Sequence, residues 1–274
     1  MIDLLYKQIQ KQLPYSYQED ILKLAYEDFK NRKNNLNYLY FLLSLESISS
    51  SFLNSIAHQE KIKSCVWFTE THEEISISSV VKYAIQGGLP DSAFVNTTAY
   101  SLKLDEVISI ISKEMETLKS LTSLPDSFLL KETYATESNV EIALSCLLKI
   151  IEVIQFNSNE VIKGLSEQIE ETSLLKSISS YASSIDQSYK RHNLTHLQLR
   201  NYSVQGLNDK GIIIEFEGEG DFELNPLFEE PENDIELLQI DHTIIFSGRA
   251  ETLEDEPFNF SYYKVTDLYT EYVG

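Results

Sequence analysis

The stretch GLNDKGIIIEF, Gly206–Phe216, marks the point where the hydrophobic pattern of the chain changes. Upstream of it, apolar residues recur at the three- and four-residue spacing of amphipathic helices. Downstream of it, short runs rich in β-branched and aromatic residues are bounded by glycine and proline. The chain is therefore predicted to be an α+β protein, with a helical domain over residues 1–206 and a small antiparallel β appendage over residues 211–274.

Two long helices are predicted immediately upstream of this change. Apolar residues keep helical spacing from Val140 to Ile154 and again from Leu165 to Ile185. The pattern predicts an antiparallel pair of helices at about 137–156 and 159–188. The second helix leads directly into a basic segment of the chain.

The appendage contains four runs of strand type. They are Ile212–Phe216, Ile235–Ile240, Thr243–Phe246 and Phe258–Tyr262. The last run alternates between apolar and polar residues, as a strand does in a sheet with one wet face.

The charge of the chain is concentrated in this appendage. The formal net charge of the chain is −21, and residues 211–274 contain 17 acidic and two basic residues, a net charge of −15. Such a surface repels nucleic acid. Three interpretations remain open: a solvated sheet surface, a phosphate mimic that docks on a basic segment of its own or a partner chain, or a contact surface for an oligomer or partner.

Composition and targeting signals favour a cytoplasmic protein without membrane association. No apolar run approaches the roughly 18 residues that span a bilayer. The first residues lack the pattern of a signal peptide. Cys65 and Cys146 lie far apart and have no metal-binding spacing, so they are expected to be buried thiols in a reducing compartment. No metal and no cofactor are predicted.

A basic island lies between Lys176 and Arg200. Four basic residues stand there against one acid, Asp186, and the segment contains two of the five histidines. Lys190 and Arg200 are the residues expected to contact RNA if this island is a nucleic-acid site. Within the island, Asn193 is predicted to cap a new helix, which places His196 in the first turn of that helix.

Arg191 and His196 are the candidate catalytic residues of this island. A guanidinium binds a scissile phosphate through paired hydrogen bonds, and an imidazole transfers a proton to or from a ribose 2′-OH. Together these two groups need no metal.

The sequence Arg191-His192-Asn193-Leu194-Thr195-His196 resembles the R-x(4–6)-H motif of the HEPN superfamily. The resemblance implies a helical HEPN-like core at about residues 91–206 and a homodimer whose two Arg and His pairs line one RNA-cleaving cleft. It implies that Arg191 binds the phosphate and His196 acts as acid and base, while His192 and Asn193 order the site. Related domains commonly act as toxins or in defence against phage.

The competing hypothesis is a non-catalytic acidic interaction protein, such as an antitoxin, an immunity protein or a nucleic-acid mimic. An open positive cleft around Arg191 favours the enzyme, whereas a histidine buried under the appendage favours the binder. Either protein could have a regulatory partner. Two further histidines are interpreted as structural: His72 as part of a solvated helix start, and His242 as a strand-end residue.

Overall fold

The computed structural model describes residues 1–31, 35–70, 75–94, 104–123, 136–186, 192–209, 211–224, 242–252 and 263–272. The chain divides into two compact units. The helical unit consists of Met1–Gln86 and Tyr100–Val161, and the sheet unit consists of Gly87–Ala99 and Ile162–Gly274.

Eight α-helices occur in the described part of the chain. They are α1 (Ile2–Gln12), α2 (Ser16–Asn31), α3 (Asn35–Ile56), α4 (Gln59–Ser64), α5 (Ile77–Gln86), α6 (Leu104–Thr122), α7 (Glu137–Ser166) and α8 (Glu171–Asp186). A short 3-10 helix, Asp91–Phe94, follows α5. Helix α1 ends just before Pro14, which cannot continue a helix.

Helices α3 and α7 supply much of the core of the helical unit. Phe41, Leu42 and Leu45 of α3 and Leu144 and Leu147 of α7 are fully buried. Long-range hydrogen bonds add to this packing. The hydroxyl of Thr122 in α6 donates to Glu46 of α3 at 2.5 Å, and the amide of Gln155 in α7 donates to the carbonyl of Gln12 at 3.2 Å.

Four strands form one antiparallel sheet in the order β1-β2-β3-β4. They are β1 (His192–Leu207), β2 (Ile212–Leu224), β3 (His242–Thr252) and β4 (Tyr263–Tyr272). Alternation decides which face is covered: Ile212, Ile214 and Phe216 are buried, whereas Glu215 and Glu217 point to the wetter face. Helix α8 packs against β1 and β4. The backbone N–H of Tyr263 donates to Ser177 Oγ at 3.2 Å.

The predicted α+β class is confirmed, but the order of elements near residue 190 differs from the prediction. The chain is a strand over His192–Leu207, where a helical domain was expected to continue to residue 206. Of the four predicted strands, Ile212–Phe216 and Thr243–Phe246 fall within β2 and β3. The runs Ile235–Ile240 and 258–262 both lie outside the described residues.

The predicted break between two helices near residue 157 is also wrong, because α7 runs unbroken from Glu137 to Ser166. Asn157 and the residues around it look like a turn in the sequence, but the side chain of Asn157 donates to the carbonyl of Val153 within the helix. Ile154, Val161 and Leu165 are all buried and continue one apolar face. Burial of this face outweighs the weak helix propensity of the polar residues between them.

Within the described residues, no helix combines the length and hydropathy needed to cross a bilayer.

Candidate active site at the start of strand β1

The predicted catalytic segment lies at the beginning of β1, at the edge of the sheet. His192 is opposite Leu224, Asn193 is opposite Glu223 and Thr195 is opposite Asp221. Lys190 and Arg191 lie outside the described residues, as do the side chains of His192 and Asn193.

The prediction that Asn193 caps a helix is wrong, because the segment is paired in a strand instead. Leu197, Gln198 and Leu199 alternate between apolar and polar residues, and β2 offers a pairing partner along nearly the whole of β1. Strand preference depends strongly on such pairing, which a local capping signal does not reveal.

His196 lies at an irregularity in β1. The register shifts between Thr195 and Gln198, and His196 has a positive φ of 51°. A non-glycine residue adopts this left-handed conformation only with support from its surroundings. A bulge of this kind redirects a side chain out of the regular pleat.

The imidazole of His196 faces a carboxylate on the neighbouring strand. Its Nδ1 lies 3.8 Å from Oδ2 of Asp221, and the two side chains are 81% and 40% exposed. This separation exceeds hydrogen-bond length, so Asp221 acts on the imidazole as a nearby carboxylate and not as a hydrogen-bond acceptor. Asp221 accepts a long hydrogen bond, of 3.4 Å, from the hydroxyl of Thr243.

Arg200 is likewise engaged by β2. Its Nε and Nη2 lie 3.1 and 2.5 Å from Oε2 of Glu219. Arg200 and His196 therefore each face a carboxylate of β2. Among the described side chains of this edge, the arrangement is neither an open positive cleft nor a histidine buried beneath the sheet, and the surroundings of Arg191 lie outside the described residues.

The wet face of the sheet carries a separate cleft of about 570 Å³. Its carboxylates are Glu215, Glu217 and Asp267, and its one cation, Arg249, donates to Glu215 at 3.0 and 2.8 Å. This excess of negative charge is unfavourable for a polyanion.

The two cysteines are buried thiols, as expected. Burial, with a contribution from the neighbouring carboxylate of Glu114, raises the pKa of the Cys146 thiol to about 12. A thiol with so high a pKa is a poor nucleophile at neutral pH. Cys146 is therefore a core residue and not a candidate for covalent catalysis.

The segments around the two histidines interpreted as structural add no described catalytic group. His72 and Asp241 lie outside the described residues, and the backbone of His242 begins β3 opposite Phe222. Glu70 serves the start of α5, where it accepts hydrogen bonds from Ser76. Among the described residues, no group of three or more histidine, cysteine, aspartate or glutamate side chains is arranged to hold a metal ion.

These features define an α+β protein with a helical unit and an antiparallel sheet unit, and with a histidine–aspartate pair at one edge of the sheet. Residues 10–147 match the family model described as "Predicted pPIWI-associating nuclease". Because the match covers half of the chain, the chain belongs to this family of predicted nucleases. No curated protein and no solved structure matches the chain significantly.

The matched residues are those from the end of α1 to the first third of α7. The match ends before Arg191 and His196, so it supports a nuclease role without assigning one to these residues.

Proposed function

We propose that this protein is a nuclease that acts in association with a pPIWI protein. The family match over residues 10–147 carries this proposal. The direct test is incubation of the purified chain with labelled RNA and DNA, alone and together with a pPIWI protein, followed by gel analysis. Co-elution of the two proteins on size-exclusion chromatography tests the association.

The finer proposal is that the substrate is RNA and that cleavage is of the HEPN type, without a metal. Arg191 binds the scissile phosphate, and His196 takes the proton of the ribose 2′-OH. The 2′-oxygen then forms a bond to phosphorus while the bond to the 5′-oxygen breaks, and His196, now protonated, gives that proton to the leaving 5′-oxygen. The products are a 2′,3′-cyclic phosphate and a 5′-hydroxyl.

The support for this finer proposal is the sequence motif together with the geometry of His196. The exposed imidazole, with Asp221 near its Nδ1, can present Nε2 to a substrate. Asp221 is a positioning residue in this scheme, and His192 and Asn193 order the site. Lys190 and Arg200 bind the RNA backbone, which requires Arg200 to exchange Glu219 for a phosphate.

In this proposal two copies of the chain form a homodimer that brings two Arg191–His196 pairs into one cleft. The proposed setting is a cytoplasmic toxin or a system of defence against phage, with the pPIWI protein as the regulatory partner.

The decisive experiment compares RNA cleavage in EDTA by the natural chain and by an Arg191→Ala/His196→Ala variant. We expect the natural chain to cleave RNA but not the 2′-deoxy substrate, and the variant to lose activity by at least about 100-fold. Lys176→Ala removes an exposed cation of the same island and serves as the matched control, with activity retained. Equal cleavage by natural chain and double variant would refute the roles of Arg191 and His196 while leaving a nuclease with another centre.

The second candidate is a non-catalytic acidic interaction protein. The observation that favours it is the pairing of Arg200 with Glu219 and of His196 with Asp221, because carboxylates occupy the positions that phosphates would take. Absence of cleavage of any nucleic acid by the folded chain, with and without the pPIWI protein, would select this candidate.

A further inference from the structure

We propose that a groove on the helical unit is a binding site for single-stranded nucleic acid, and this inference rests on the proposed nuclease function. The groove has a volume of about 700 Å³. Tyr15 and Tyr17, at the start of α2, form one side of it, and the face of α3 from Ser47 to the following His58 forms the other. All of these residues lie within the family-matched part of the chain.

The α3 side of the groove is a polar face without formal charge. Positions 47, 50, 51, 54, 55 and 58 recur at three- and four-residue spacing and carry serines, Asn54 and His58. The opposite face of the same helix is apolar and buried, with Ile48, Phe52 and Leu53 in the core. The chain has 43 acidic residues, so an uncharged concave surface is where a polyanion meets little local repulsion.

The two tyrosines of the groove are held in place by ring stacking and by hydrogen bonds from neighbouring side chains. The rings of Tyr15 and Tyr17 are stacked with centroids 5.8 Å apart, and the residues are 43% and 48% exposed. Gln18 is fully buried, and its amide donates to Tyr17 Oη and Ser51 Oγ, both at 3.2 Å. Tyr17 Oη also lies 2.9 Å from Ser51 Oγ. Tyr17 is thus fixed before a ligand arrives, which lowers the entropic cost of binding.

The buried side-chain oxygen of Gln18 indicates that the groove is a ligand site and not only a solvated surface. Gln18 Oε1 is buried and has no hydrogen-bond partner in the described structure. An orphaned acceptor in a buried position costs free energy, and such costs are commonly retained where a ligand site needs a particular side chain. Here the amide of the glutamine donates to both Tyr17 and Ser51, two residues that line the groove.

This combination of groups fits a single strand of nucleic acid. Exposed aromatic rings stack on unpaired bases with little dependence on sequence. Hydroxyl, amide and imidazole groups donate hydrogen bonds to phosphate and sugar oxygens. Because the lining carries no lysine or arginine, few counterions are released on binding, and the affinity should depend only weakly on salt.

The test is fluorescence anisotropy with the full chain and a labelled oligothymidine of about 12 nucleotides, beside its abasic counterpart. The deoxy probe resists cleavage that requires a 2′-OH. We expect Tyr15→Leu/Tyr17→Leu and the loss of the bases each to weaken binding by at least about fivefold. Asn54 is exposed, and alanine has a higher helix propensity than asparagine. Asn54→Ala should therefore weaken binding without affecting folding.

Tyr40→Leu is the matched control, since Tyr40 is 53% exposed on α3 but lies outside the groove. The affinity of the Tyr40→Leu variant for the oligothymidine should equal that of the natural chain. Between about 50 and 200 mM NaCl the affinity should change little, whereas a protein with six phosphate-contacting cations loses about 1,000-fold.

Absence of binding, equal binding by the tyrosine double variant when circular dichroism shows it folded, or a steep loss with salt would overturn the inference. Cleavage of RNA with groove-independent binding would leave the nuclease standing and remove the groove. Binding that depends on the groove, without any cleavage, would support the groove and refute the nuclease proposal.

Discussion

Gly218 occupies a position in β2 where the sheet leaves no space for a side chain. A Cβ at this residue would lie 2.3 Å from Cζ of Phe246 and 2.4 Å from the carbonyl oxygen of Gln198. Phe246 is fully buried and cannot move aside without disturbing the core of the sheet unit. We expect Gly218→Ala to lower the free energy of unfolding by about 1–3 kcal/mol, measured by urea denaturation.

Gly206 provides the matched control in the same sheet. A Cβ at this residue would have no neighbouring atom within 4 Å. Gly206→Ala should therefore change the free energy of unfolding by no more than about 0.5 kcal/mol. Equal stability of the two variants would show that β1 and β3 are packed more loosely around Gly218 than the structure indicates.

The residues of the candidate site show how far a local motif can be interpreted. The composition of the basic island directs attention to His196, which is exposed at a bulge. Its partner Asp221 belongs to another strand, and Glu219 pairs with Arg200 in the same way. Register brings these groups together, and it depends on the cross-strand pairing of many residues. The pairs were therefore not predictable from the motif.

At the scale of elements, periodicity predicted helices best where one face is apolar and a breaker ends the segment. Helix α5 ends at Gln86, because Gly87 adopts a φ of 59° and closes the helix. The spacing of the serines on α3 can also be read from the sequence. The proximity of Tyr15 and Tyr17 to these serines arises from the tertiary fold and cannot. The strand β1 was missed because its pairing with β2 overrides the local signals near Asn193.

The start of α5 depends on Glu70, which precedes the helix by several residues. The backbone N–H of Ser76 donates to Glu70 Oε2 at 3.0 Å, and the hydroxyls of Ser76 and Ser79 donate to Oε1. The hydroxyl of Ser76 in turn accepts the backbone N–H of Ser79 at 3.2 Å, as an N-cap residue does. Glu70 therefore holds the cap and places a negative charge near the positive helix end.

We expect Glu70→Ala to lower the free energy of unfolding by about 1 kcal/mol, because the cap loses the acceptor that orients it. Chemical denaturation followed by circular dichroism measures this change. Glu152→Ala removes an exposed glutamate within α7 and should have little effect. If both variants are equally stable, water replaces Glu70 at no cost and the cap is self-sufficient.

At the scale of the whole molecule, the balance of charge opposes folding. Among the described side chains, the sheet has the cross-strand ion pairs Arg249–Glu215 and Arg200–Glu219, with partly exposed side chains. Exposed pairs of this kind contribute at most about 1 kcal/mol each. They stand within a stretch, residues 211–274, of net charge −15. Repulsion among this excess of carboxylates is therefore the larger electrostatic contribution.

This imbalance predicts that salt stabilises the folded chain. Raising NaCl from about 0.01 to 0.15 M shortens the screening length from about 30 to about 8 Å, which weakens repulsion across the molecule more than attraction between neighbours in contact. We expect the midpoint of thermal unfolding, followed by circular dichroism, to rise with NaCl. Glucose at equal osmolality does not screen charge and is the control. A midpoint that falls with NaCl would mean that the ion pairs of the sheet outweigh the repulsion of the acidic residues around them.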